Sequence, residues 1–261
     1  MKLTPITPDL SALPQALLPF VECAALYDSS CSPQAQVWFA EKDGGFFLKS
    51  APGGTLAQEA ARTALFHSLG MGAEVLTYLP GETDWLVTAR LPGRDCIHPD
   101  CLADPRRLCD TLALHIRRLH ELPIPESPLP DKNRQKLLSA RETYALGRFD
   151  TSLFPDNWGY ASPEAAMSVI EAQGSTLRRE CLLHGDCCLP NILLEGWRFS
   201  GFIDVGDAGV GDRHWDLFWI LWSMGFNLKT DAYHSRFLDA YGRDKADTDK
   251  LRLIAALEAL L

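Results

Sequence analysis

Short apolar runs separated by turn residues fill the first ninety positions. Val37-Trp38-Phe39-Ala40 and Phe46-Phe47-Leu48-Lys49 flank Glu41-Lys42-Asp43-Gly44-Gly45, and an Asp-Gly-Gly turn between such runs predicts a hairpin. Past Gly53-Gly54-Thr55, the positions Ala60, Thr63, Ala64 and Phe66 fall on one face at helical spacing, predicting a helix over 56–69. Residues 74–79 and 85–89 read as two further strands joined through Pro80-Gly81. Arg90-Leu91-Pro92-Gly93 interrupts regular structure and marks a hinge. Beyond it the period lengthens. Leu108, Leu112, His115, Ile116 and Leu119 predict a helix over 104–121, and helical patterns recur over 132–148, 162–179, 212–224, 231–241 and 249–260. The pattern predicts an α+β chain: residues 1–89 as an antiparallel sheet with one helix, 90–93 as hinge, and 94–261 as a larger, mainly helical part.

Composition narrows the classes. A chain of 261 residues that is 46% hydrophobic can fill one sizeable domain or two compact lobes. A net charge of −9 argues against a nucleic-acid partner and favours cationic ones. No run approaches the roughly 18 apolar residues that span a bilayer. The opening Met1-Lys2-Leu3-Thr4-Pro5 lacks the apolar core of a signal peptide. Eight cysteines without a C-x-x-C pair argue against zinc. Free, mostly buried thiols in a reducing cytoplasm are expected, with no membrane partner and a monomeric or homodimeric state.

The chemistry concentrates in His184-Gly185-Asp186-Cys187-Cys188-Leu189-Pro190-Asn191, followed by Gly201-Phe202-Ile203-Asp204-Val205-Gly206. Phosphoryl transfer needs a carboxylate near the acceptor hydroxyl and oxygen ligands that hold magnesium on the phosphates. Asp186 supplies the first from a loop; Asn191, five residues on, and Asp204, at a strand end, supply the second. Upstream, Lys49 ends an apolar strand, where a lysine reaches α- and β-phosphates, and Glu59 on the next helix can hold it.

The stretch 184–213 resembles the aminoglycoside 3′-phosphotransferase family, which shares the protein-kinase fold. The likeness is carried by the variant His-Gly-Asp…Leu-Pro-Asn of 184–191 and by Phe199-Ser200-Gly201-Phe202-Ile203-Asp204. It extends over nearly the whole chain and is weak between about 122 and 179. The resemblance implies a protein-kinase-like two-lobed fold, ATP or GTP with Mg2+, Asp186 as catalytic base, Asn191 and Asp204 as metal ligands, and the Lys49–Glu59 pair. No Gly-x-Gly-x-x-Gly loop precedes Val37; Ser29-Ser30-Cys31-Ser32-Pro33 resembles the family's shorter nucleotide loop, with Ser32 on phosphate. Ala89 and Leu91 are expected to offer backbone groups to the purine, and Asp216 to brace the catalytic loop through backbone hydrogen bonds.

The acceptor is read from acids. Residues 142–171 carry five acids, Asp156 among them, against Arg148 alone. Leu257-Glu258-Ala259-Leu260-Leu261 is similar to the family's C-terminal ending, implying Glu258 and the Leu261 carboxylate as contacts for a cationic drug such as kanamycin or neomycin. Two departures weaken that likeness. Asp207 follows Gly206 where the family usually has arginine, and Met224, Gly225 and Phe226 occupy a place where an acid is usual. A kinase of another small alcohol, such as a macrolide, sugar or amino alcohol, and a non-catalytic nucleotide-binding module are the alternatives. Trp215, Trp219 and Trp222 are expected on a packed helix face.

Overall fold

The computed structural model describes all residues except 1–2, 32, 127 and 154–158; the side chain of Leu153 also lies outside the description. Contacts divide the chain into two units: Met1–Cys96 with Pro190–Gly206, and Ile97–Leu189 with Asp207–Leu261. Together they make an α+β protein, one unit sheet-rich and the other helical, as the hydrophobic pattern predicts.

The first unit is built on a six-stranded antiparallel sheet. Its strands are β1 (Thr4–Ile6), β2 (Ala25–Asp28), β3 (Gln36–Glu41), β4 (Phe46–Pro52), β5 (Val75–Leu79) and β6 (Thr83–Ala89), in the order β1-β2-β3-β4-β6-β5. The hairpin read from Asp43-Gly44-Gly45 is β3–β4, closed by Gly45 N–H donating to the Lys42 carbonyl at 2.8 Å. Helix α1 (Leu18–Val21) and strands β1 and β2 escape the pattern because each is only three or four residues long. Their burial against Leu17, Trp38, Leu48 and Val87 is what defines them. Helix α2 (Ala57–Ser68) packs Ala60, Thr63 and Phe66 inward. A second antiparallel ribbon joins β7 (Arg94–Asp95), β9 (Ile192–Glu195) and β10 (Arg198–Phe202). Phe202 is buried edge-on to Phe66, and its N–H donates to the Met71 carbonyl at 2.7 Å.

The second unit contains α3 (Pro99–Leu102), α4 (Pro105–His120), α5 (Lys132–Leu146), α6 (Pro163–Gln173), α7 (His214–Leu228), α8 (His234–Gly242) and α9 (Thr248–Glu258), with the two-stranded β8 (Cys181–Leu183) and β11 (Gly209–Gly211). The long helices start where side chains can cap them. Asp104, Asp131, Ser162 and Asp247 each accept a backbone N–H from the first turn, worth about 1 kcal/mol apiece. Helix α6 stops at Gln173, short of the predicted 179: a 3-10 turn over Gly174–Thr176 follows, Leu177 is extended, and Arg178 N–H donates to the Asp212 carboxylate at 2.9 Å. The core joins α5, α6 and α9 through Ala140, Ile170, Leu253 and Leu257.

All eight cysteines are free. Burial pushes the Cys181, Cys187 and Cys188 thiols up, so none is poised as a thiolate ligand. Among the described residues no group of three or more His, Cys, Asp or Glu side chains could hold a metal, and no helix is long and apolar enough to cross a membrane.

Candidate active site

Strand alternation delivers the first component. In β4, Leu48 and Ser50 are buried while Lys49, paired in register with Val37 and Leu86, turns to the other face. Its ammonium meets both oxygens of Glu59 at 2.8 Å and Oδ1 of Asp204 at 3.3 Å. Glu59 lies in the first turn of α2, where the helix dipole favours an acid. Burial alone pulls the Lys49 ammonium down, but the charges of Asp204 and Glu59 and their hydrogen bonds outweigh it, and the net shift is upward. Lys49 therefore stays charged at neutral pH.

Asp204 takes left-handed backbone geometry, φ 55°, which a non-glycine residue adopts at a cost of about 1–2 kcal/mol. The turn it makes continues into Gly206. A side chain there would come within 3.3 Å of the Glu59 carboxylate, so glycine lets α2 approach. Arg62, one turn along α2, donates to the Gly206 carbonyl and to Gln58 Oε1. The helix thus grips the Asp204–Gly206 turn through both Glu59 and Arg62. Arg62 was not singled out by the motif; its only sequence signal is its three-residue spacing from Glu59.

Asn191 belongs to the same unit. It immediately precedes β9, and its carbonyl accepts Ile203 N–H at 3.0 Å, one step beyond the Ile192–Phe202 pairing. Asn191 and Asp204 therefore stand at one end of the β9–β10 hairpin. An amide and a carboxylate oxygen are hard donors that suit magnesium, which keeps several positions for water and phosphate.

The second unit holds Asp186 in the loop after β8. Asp186 N–H donates to His184 Nδ1 at 3.2 Å, and its carbonyl accepts Cys188 N–H at 2.9 Å. Gly185 has φ 90°, and a Cβ on it would lie 2.1 Å from the Asp207 carbonyl oxygen, so only glycine fits. Asp216, fully buried near the start of α7, accepts His184 N–H at 2.8 Å and Gly185 N–H at 2.9 Å. Two residues that the sequence reading missed complete this brace. His120 Nε2 lies 3.1 Å from Asp216 and its Nδ1 lies 2.8 Å from the Tyr241 hydroxyl, which also accepts from Arg213 at 3.3 Å. One assignment satisfies every partner: Tyr241 donates to Nδ1, and Nε2–H donates to the carboxylate. Burial pushes Asp216 up, but the hydrogen bonds from His120 and the backbone donors outweigh it, and the carboxyl is held below the ordinary aspartate value.

The chain that carries a lysine held by a helix glutamate, an Asn/Asp pair on a hairpin and a loop aspartate braced by a buried carboxylate is similar to known proteins. Residues 29–254 match the model of the phosphotransferase enzyme family (APH). The chain belongs to that family. A protein of Lactococcus lactis subsp. lactis (strain IL1403) named "Probable aminoglycoside 3′-phosphotransferase" is 41% identical over 251 residues, 96% of this chain and 95% of that one. The aminoglycoside 3′-phosphotransferase of Niallia circulans is 31% identical over 216 residues, covering 81% of this chain and 82% of its own. The crystal structure of the type VIII aminoglycoside-3′-phosphotransferase shares the fold, with a TM-score of 0.75 at 24% identity over 95% of this chain and 97% of that one. So does APH(3″)-Id from Streptomyces rimosus ATCC10970 in complex with ADP and streptomycin, at 0.73 and 22% identity over 97% and 99%.

In this phosphotransferase family member the remaining predicted residues are placed less uniformly. Ala89 N–H is already bonded to the Glu74 carbonyl at 2.9 Å, and Leu91 packs over Gly201. Ser32 and Asp156 lie outside the described residues. Glu258 is buried rather than open: Lys136 Nζ stands 3.4 Å from its Oε1, and Trp219 Nε1–H donates to the same oxygen at 3.3 Å. Burial raises its pKa, with Lys136 opposing. Leu261 is exposed. The expected tryptophan core face needs correction. Trp215 is buried and Trp219 half-buried, but Trp222 is exposed and stacks on exposed Phe226, ring centroids 5.3 Å apart and planes within 8°. Helix α7 runs to Leu228, four residues past the predicted end, and carries this pair outward.

Proposed function

We propose that the chain is an O-phosphotransferase that moves the γ-phosphate of ATP or GTP to a 3′-type hydroxyl of an aminoglycoside such as kanamycin or neomycin. The observation that best supports it is the Lys49 ammonium held on both oxygens of Glu59 and touching Asp204. Such a fixed cation, reaching toward the residue assigned to the metal, is what phosphates need and what a generic surface ion pair lacks.

In this reading residues 1–89 bind nucleotide, 90–93 form the hinge and 94–261 carry catalysis and the acceptor. Ser32 contacts phosphate, and the backbone at Ala89 and Leu91 meets the purine. Lys49, held by Glu59, spreads positive charge over the α- and β-phosphates. Asn191 and Asp204 hold Mg2+, which when bound neutralises phosphate charge. Asp186 accepts the proton of the acceptor hydroxyl and orients its oxygen for in-line attack on the γ-phosphorus, while Asp216 keeps the loop backbone in place. Glu258, Leu261 and Asp156 meet the acceptor. The catalysis is positioning and electrostatics, with no covalent enzyme intermediate. The site of action is the cytoplasm.

A panel of hydroxyl acceptors with radiolabelled ATP, read by mass for one added phosphate, tests this reading. Kanamycin or neomycin should gain one phosphate. The exposed Trp222–Phe226 stack favours a second reading, a kinase of a less polar alcohol. If both drugs stay unmodified while another alcohol turns over, the aminoglycoside assignment is wrong.

A further inference from the structure

Helix α5 presents two lysines one turn apart, and each meets an acid from a distant part of the second unit. Lys132 Nζ is 2.5 Å from Asp207 Oδ1 and 3.2 Å from Gln135 Oε1. Lys136 Nζ is 3.4 Å from Glu258 Oε1 and 5.7 Å from the ring centroid of Trp215. The acids sense each other: after burial, and against the pull of Lys136, the charge of Asp207 adds to the upward shift of Glu258. A buried carboxylate beside a like charge needs a cation, and α5 supplies one to each.

The two cations are not held alike. Lys132 is 3% exposed, and its stem lies over β11, where side chains at Gly209 and Gly211 would come within 2.6 Å of Lys132 Cγ and 3.4 Å of Lys132 Cβ. Removing it would empty a packed space. Lys136 is 22% exposed at its side chain and sits at a longer distance, so its flexible stem can carry the ammonium into water.

We propose that Lys136 is a displaceable counter-ion and a determinant of acceptor specificity. An ammonium group of the acceptor takes its place on Glu258, while Lys132 stays on Asp207. The proposal rests on the aminoglycoside reading and deepens it. Exchanging one ammonium for another conserves charge at the buried carboxylate, so the acceptor gains only the difference between two similar contacts. A neutral alcohol has nothing to exchange. Lys136 therefore raises the KM of cationic acceptors without touching the phosphoryl-transfer step.

Steady-state kinetics with kanamycin and ATP at pH 8 test this in Lys136→Met, Lys136→Gln, Lys136→Arg, Glu258→Gln and the Lys136→Met/Glu258→Gln double variant. Lys136→Met and Lys136→Gln should lower the kanamycin KM about fivefold, with kcat and the ATP KM unchanged. An unchanged ATP KM also reports that the variants fold. Lys136→Arg should retain the parent KM, and Glu258→Gln should raise it and abolish the gain from Lys136→Met. A kanamycin KM that rises or stays level in both Lys136→Met and Lys136→Gln overturns the proposal, while turnover by the parent leaves the aminoglycoside reading standing. If the parent phosphorylates no aminoglycoside, that reading fails and takes this proposal with it.

Discussion

Two glutamates that accept lysine, Glu59 and Glu258, differ in almost everything except that contact. Glu59 meets a lysine ten residues away in sequence, through both oxygens at 2.8 Å, and shares it with Asp204. Glu258 meets a lysine 122 residues away, through one oxygen at 3.4 Å, and shares itself with an indole. Short separation lets a strand and the next helix fix geometry directly. Long separation leaves it to the packing of α5, α7 and α9. The Lys49–Glu59 pair is thus set locally, and Glu258 is set by how three helices meet.

The largest test of that contrast is on the local side. Asp186→Ala and Lys49→Met should each lower kcat about a thousandfold. For Asp186→Ala, nucleotide affinity followed by fluorescence titration should persist. An unchanged rate in Asp186→Ala would remove it as the base and favour a non-catalytic nucleotide-binding module.

A smaller effect is expected one step back from the chemistry. Asp216→Ala strands two buried backbone N–H groups and His120, so urea unfolding should show a loss of about 3 kcal/mol or more. The sign with pH follows from the lowered pKa. The unfolded aspartate binds its proton near 3.8 and the folded one only below that. The stabilisation is therefore present above pH 3.8 and disappears as pH falls through the folded value. The parent and Asp216→Ala should converge in stability on acidification; parallel curves would deny Asp216 its ionised, bonded state.

The smallest effect reverses that sign. Burial raises Glu258 above its ordinary 4.5, so the folded state holds a proton that the unfolded chain has lost. Its stability contribution is full below 4.5 and declines as pH rises through the folded value. Relative to the parent, Glu258→Gln should gain in thermal midpoint as pH rises from 4 to 8. No gain would mean that Lys136 and Trp219 fully compensate the buried charge.

Legibility in the sequence follows the same divide. Lys49, Glu59 and the Asp186–Asn191–Asp204 spacing are readable because strand, turn and helix periods within a few dozen residues dictate where those side chains emerge. Asp216 is readable as a loop brace by the same resemblance. His120 and Tyr241 are not, since nothing in a helical heptad distinguishes a histidine that meets a carboxylate 96 residues away from one that faces solvent. The tryptophans of α7 mislead for a related reason: an apolar helix reads as buried, yet Trp222 and Phe226 satisfy each other by stacking at the surface. Glu258 reads as an open acid because the sequence cannot announce the lysine and indole that converge on it.

The return of Pro190–Gly206 to the first unit has a consequence for synthesis. Strand β7 finds its partner β9 only after about a hundred further residues have been made, roughly five to twenty seconds on a translating ribosome. Until then Phe66 lacks Phe202, and Met71 has no Phe202 N–H to accept. Asp204 arrives on the same segment that brings Phe202 to Phe66. The Lys49–Asp204 contact therefore cannot form on a ribosome-bound fragment that ends before residue 204.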